Sequence, residues 1–236
     1  MSQIQRSTQE IFSFHLIELR FFQFPYYLFF YLKGKKVKGL NHIERFVPMQ
    51  LGESILSPKR YFFSRIVFLF HWKSEEDLEI FLNSLENDPM TSGWQIRLRL
   101  YRRWGKLKEL DSAKLYSFHS ELTKPITAIT IARLKLSQLI RFTKWGKPVE
   151  KQVRNHPGKS IAFAAFRPFG NFSTFSIWNS EKEMLQMVHG RDSMKDGSEH
   201  KEAMIERNRK DFHYEFTTLR FEIIKEIGVR TTFGIM

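Results

Sequence analysis

The 236-residue chain contains no cysteine. Disulfides, thiolate metal sites, iron–sulfur clusters and cysteine nucleophiles are therefore excluded. Nowhere do apolar residues run for the ~18–20 positions that a membrane-spanning helix needs. The opening MSQIQRSTQE has neither the charged head nor the apolar run of a signal peptide. These absences set the expectation of a cytoplasmic protein. No glycine-rich nucleotide loop occurs, and no G-x-S-x-G elbow. Carboxylates are outnumbered, 25 Asp+Glu against 38 Lys+Arg. They are scattered on helix surfaces, chiefly at 75–79 and 181–183, where helix capping and solvation account for them.

What the chain has in excess is phenylalanine and positive charge. Its 24 Phe imply large apolar walls, in a core or around an apolar ligand. The net charge of +13 favours acidic partners, an anionic membrane surface or nucleic acid. RLRLYRRWGK (97–106) interleaves Arg with Trp and Tyr and could stack on bases. Its alternation makes it first a strand with one packed face, so nucleic acid is not the favoured partner.

Hydrophobic patterning predicts a strand over 11–22, a short apolar helix over 26–32 and a basic run over 33–38. The aromatic segment 24–38 with its lysines suits peripheral contact with a membrane; a buried helix followed by a solvated loop is the plainer alternative. Residues 39–60 read as a long connection. A strand over 62–72, a helix opened by Ser74 and Asp77, and a strand over 94–101 follow. Residues 105–124 hold the boundary between halves. Then come a strand over 126–133, a helix over 137–153 and a hairpin-like or bulged strand region over 161–178, bent around RPFGN. A capped helix over 180–189, a polar loop, a helix carrying His200 and a last strand through Arg220 close the chain.

The halves share a plan. Trp72-Lys73-Ser74-Glu75-Glu76-Asp77-Leu78 matches Trp178-Asn179-Ser180-Glu181-Lys182-Glu183-Met184. Each is a strand end, a cap and the first core residue of a helix. The expected fold class is α+β: two fused ferredoxin-like repeats, 11–110 and 120–236, packing sheet to sheet as an α+β barrel. The space between the sheets is then the expected ligand cavity.

The second half adds a loop and a helix that the first lacks. On that helix His200, Ala203, Met204 and Arg207 share one face, and Ala and Met direct it to the core. An inward His either satisfies a backbone carbonyl or binds a metal; a single His before a large apolar wall suits haem iron. Arg207, on the same face, is assigned with His200 to cofactor binding. Arg220 is expected inside the barrel, as a catalytic residue polarising oxygen or pairing with a carboxylate of the cofactor. Its alternative is a structural pair with Glu222, Glu215 or a carboxylate of a neighbouring strand. Phe163, Phe175, Ile177, Trp178 and Phe216 are expected to line the substrate pocket.

TFSIWNSEKEM (174–184), His200 followed by Ala203, and Arg220-Phe221 resemble the C-terminal region of the spheroidene monooxygenase family, the acyclic carotenoid 2-ketolases. The resemblance implies a haem-containing oxygenase acting on acyclic carotenoids with a ferredoxin-type electron donor, and His200 as the axial ligand. One stretch departs from it. Where a Gly-x-Gly-Glu-like turn is expected, this chain has Ala164-Ala165-Phe166-Arg167-Pro168-Phe169-Gly170-Asn171. A ligand-binding barrel without catalysis is the alternative function.

Overall fold

A computed structural model describes residues 9–117, 124–168, 170–189 and 198–230. The first half contains β1 (Ile11–Glu18), a π-helical turn (Tyr26–Phe30), β2 (Leu40–Met49), β3 (Arg65–Trp72), α1 (Glu75–Asn83), the short α2 (Pro89–Ser92) and β4 (Trp94–Lys106). The second contains β5 (Ile126–Leu134), α3 (Leu139–Asn155), β6 (Lys159–Arg167), β7 (Asn171–Trp178), α4 (Glu181–His189), α5 (Glu199–Arg209) and β8 (His213–Ile227). No helix among the described residues is long and apolar enough to cross a membrane.

The strands form a closed antiparallel barrel in the order β1-β3-β2-β6-β7-β5-β8-β4. Two seams join the halves. The β4–β8 ladder is long, from Gln95↔Ile227 to Lys106↔Phe216. The β2–β6 ladder is short, from Val47↔Phe166 to Met49↔Ala164. Closure pairs every strand on both sides, which reduces the edge that could template aggregation.

Local chemistry explains most element starts. Ser74 Oγ accepts the Asp77 N–H at 3.1 Å, and Ser180 Oγ accepts the Glu183 N–H at 3.2 Å. Each side chain satisfies a donor that the helix leaves free. Two sequence expectations need correction. Residues 40–49, expected in a connection, form β2. Its Pro48 lies beside the last residue of the strand, where a missing N–H costs little. The hairpin-like reading of 161–178 holds: the region is two paired strands, β6 and β7, in the register Ile161↔Ile177 to Arg167↔Asn171.

The second correction concerns the space between the sheets, expected to be the ligand cavity. It is filled. Phe14 stacks on Phe175 at 4.1 Å between ring centroids, and Phe163 stacks on Phe175 at 5.0 Å. Trp94, Ile96, Leu98, Ile129, Leu219 and Phe221 complete this buried cluster. Inward positions of both sheets are large and apolar, so they interdigitate to crystal-like density.

Candidate functional site: a cavity between the second sheet and its helices

The two halves differ on the outer face of the barrel wall. In the first half, Ile66, Phe68, Phe70 and Trp72 project outward from β3, and Leu78 and Phe81 of α1 pack on them with Tyr27 and Leu28. In the second, the central outward positions are small, with Phe172, Trp178, Phe216 and Arg220 around them. β5 presents Ala128, Thr130 and Ala132; β7 presents Thr174 and Ser176; β8 presents Thr218. Register stacks them in rows: Ala128 lies between Arg220 and Ser176, and Thr130 between Thr218 and Thr174. Phe142, Trp145 and Val153 of α3, Met184 and Met187 of α4, and Ala203 and Met204 of α5 roof this floor. The space between is a cavity of about 830 Å³. Small-ligand sites span about 300–1,000 Å³.

His200 stands at the start of α5 and lines this cavity. Its Nδ1 lies 3.1 Å from the Val188 carbonyl oxygen, and its backbone N–H donates to Gln152 Oε1 at 3.1 Å. A carbonyl oxygen can only accept, so Nδ1 carries the proton and Nε2 keeps its lone pair. Burial lowers the pKa of the imidazole, which holds it neutral. An imidazole oriented by an Nδ1–H···O=C bond is the arrangement that fixes a metal-ligating His.

The far end of α5 supplies a second constellation. Arg207 lays its guanidinium over the rings of Phe216 at 4.1 Å and Trp104 at 5.0 Å. Its Nε is 3.8 Å from Asp211 Oδ1, too far for a hydrogen bond. Asp211 Oδ1 instead accepts from the His213 backbone N–H at 2.9 Å and lies 3.1 Å from His213 Nδ1. Burial lowers the His213 pKa to about 4 against the opposing pull of Asp211. Its Nε2 is buried with no hydrogen-bond partner among the described residues. Arg207, His213 and the exposed Arg102 and Lys201 all border the cavity.

Arg220 reverses the sequence expectation. Leu219 and Phe221 take the barrel interior, so Arg220 shares the outer face with Phe216 and Thr218. It still borders the cavity, because the cavity is on that side. Its Nη1 donates to Glu181 Oε1 at 3.0 Å, and the Tyr101 hydroxyl donates to the same oxygen at 3.2 Å. The carboxylate partner is thus on α4, and is neither Glu222 nor Glu215.

The expected pocket residues divide. Trp178 and Phe216 line the cavity from the sheet. Phe163 and Phe175 belong to the barrel core and reach the cavity only as part of its floor. Ile177 does not line it; alternation turns it into the barrel, fully buried. The small floor residues were missed. Their signal is the small residue at every second place in ITAITIARL (126–134) and NFSTFSIW (171–178). Among the described residues no group of three or more His, Asp or Glu could hold a metal ion.

No family model and no curated protein sequence matches the chain. Solved structures do. An aldoxime dehydratase, solved in complex with butyraldoxime, has a TM-score of 0.57 at 7% identity, over 93% of this chain and 81% of that one. A provisionally assigned monooxygenase from Fusobacterium nucleatum has a TM-score of 0.40 at 10% identity, over 94% and 95% of the two chains. A heme-degrading enzyme from Listeria monocytogenes has 0.28 at 11%, over 88% and 98%. At such identities a likeness speaks to fold alone. The fold is α+β with an eight-stranded antiparallel barrel, similar overall to that of the aldoxime dehydratase.

Proposed function

We propose that the cavity binds haem and that the protein is a monooxygenase-like haem protein acting on a lipophilic substrate of the isoprenoid class, carotenoids included. The observation that carries this is His200: a neutral imidazole with Nδ1 committed to Val188 and Nε2 free of any hydrogen bond among the described residues, bordering a large apolar cavity. The donor set fits. His200 would be the axial ligand. The porphyrin carboxylates would meet Arg102, Lys201 and Arg207, and among the described residues no carboxylate pairs with the first two. The similar strand order of the two halves, with a π-helical turn in the first where the second has α3 and the short α2 where the second has α5, supports reading them as fused ferredoxin-like repeats.

Bound there, haem would supply oxygen activation, with electrons from a donor of the ferredoxin type. The chain's residues prepare the site. Val188 fixes the imidazole plane and tautomer. The Met and Phe side chains of the roof would limit water around a bound group, which strengthens polar contacts made there. The Thr130 and Thr218 hydroxyls, 3.4 Å apart on the floor, can accept or donate one hydrogen bond each to a polar atom above them. Arg220 is held by Glu181. That pair favours the second reading, apolar-ligand binding without chemistry, because it occupies the guanidinium expected to polarise oxygen.

Adding haem to the purified protein and recording the visible spectrum tests the proposal. A Soret band of a histidine-ligated haem that is shifted or lost in His200→Ala, with circular dichroism unchanged, is expected. A protein that stays colourless under haem supply turns the reading to the second one.

A further inference from the structure

Between Glu18 and Glu44 the chain has no acidic residue but carries Arg20, Lys33, Lys35, Lys36 and Lys38. All five are exposed. The same segment exposes large apolar side chains: Phe21 is 88% exposed, Phe22 71% and Phe30 58%. These are not loose. Tyr27, Leu28 and Tyr31 anchor the π-helical turn in the core, and Arg45 donates to the Tyr31 carbonyl. Positive φ angles at Leu32 (58°) and Gly34 (74°) then turn the chain back, and Lys33 Nζ lies 5.9 Å from the centre of the Phe30 ring.

The surface continues onto the loop joining β2 to β3. Phe24 meets Phe63 edge to face at 6.1 Å, Phe63 stacks on Tyr61 at 5.4 Å, and the Tyr61 hydroxyl donates to the Ile55 carbonyl. Phe63 is 50% exposed and Leu56, next to Ile55, is 88% exposed. Singly exposed apolar residues need no explanation; a connected set beside a segment of one sign of charge marks an interaction surface.

We propose that this face docks on an anionic lipid bilayer. Phe21, Phe22, Phe30 and Leu56 enter the boundary between headgroups and acyl chains, and the five cations meet lipid phosphates. Charge chooses this occupant: a segment of only positive sign is unsuited to pairing with a copy of itself and suited to an anionic plane. Docking does not depend on haem. It does place a membrane next to the cavity wall. Arg60 pairs with Glu150 of α3 at 2.7 Å, and Glu150 also accepts the Gly52 N–H at 2.8 Å. Leu51, Glu150 and Val153 border the cavity. The docking loop and the cavity therefore share a pinned wall, and an apolar ligand dissolved in lipid has a short path between them.

The test is sedimentation of the full chain with phosphatidylglycerol–phosphatidylcholine vesicles and with pure phosphatidylcholine vesicles. Two variants accompany it, Phe21→Ser with Phe22→Ser, and Lys35→Glu with Lys36→Glu. All four positions are exposed, so circular dichroism should match wild type. Wild type is expected on the anionic vesicles only, and each variant should lose roughly tenfold or more in partitioning. Absence of wild type from anionic vesicles, equal binding to both vesicle types, or indifference to both variants overturns the proposal. A wild-type dimer that the Phe variant splits, without vesicle binding, assigns the face to a second copy and overturns it. Salt-sensitive binding of RNA lost in the Lys variant, again without vesicle binding, does the same.

Discussion

At the scale of the residue, protonation divides the histidines by what each is bonded to. His15 is enclosed under the first half's helices with Nε2 2.9 Å from Ser13 Oγ, and burial lowers its pKa to about 3 from the ordinary 6.5. His213 is lowered to about 4, also chiefly by burial. Both are neutral in the folded protein. The unfolded chain takes up protons at these residues below about pH 6.5, where the folded chain does not, so stability falls as pH drops from 6.5 towards 4. Above pH 7 neither contributes. Urea midpoints at pH 7.5, 6 and 5 should decline in that order, and His213→Gln should flatten the decline. A midpoint constant from pH 7.5 to 5 would contradict the burial of both rings. His200's inward face was legible in the sequence, because Ala203 and Met204 fix which side of α5 is apolar. Its tautomer was not, because Val188 approaches from another helix.

At the scale of the element, the second sheet decides where a ligand can sit. Ala128, Thr130, Thr174 and Ser176 leave room that Phe68, Phe70 and Trp72 fill in the first half. Volume added to a packed interior costs about 1–3 kcal/mol, whereas volume added to a cavity does not. Ala128→Phe should therefore keep or raise the melting temperature and abolish haem uptake. A drop of several degrees, with uptake retained, would show that no such space exists at Ala128. Alternation in β5, β7 and β8 was readable from the sequence. Which face turned to the barrel was not, since both faces of these strands carry apolar residues. Arg220 was misassigned for that reason: Leu219 and Phe221 suit a helix-packed face as well as a barrel interior. β2 was lost because Gly39, Pro48 and its charged residues mask a strand whose value lies in closing the barrel.

For the whole molecule, closure couples the halves. Phe14 and Trp94 from one half and Phe163 and Phe175 from the other build one core. Neither half alone could bury these rings, and each would expose two sheet edges. Fragments 9–117 and 124–230 made separately should be unfolded or aggregated, and should regain native circular dichroism when refolded together. A cooperative thermal transition in either fragment by itself would mean that the halves are independent domains. The strand end and capped helix start in each of the matched segments from Trp72 and Trp178 were visible in the sequence. The position of the cavity was not, because it depends on how three helices seat on the outer wall.

The central claim is that a single imidazole from α5 ligates haem in this cavity. Removing the side chain while supplying a free one tests it most directly. His200→Gly loaded with haem should show an altered Soret band, and added imidazole should return it to the wild-type position. A wild-type spectrum in His200→Gly before imidazole is added, or an altered one that imidazole leaves unchanged, would contradict the account.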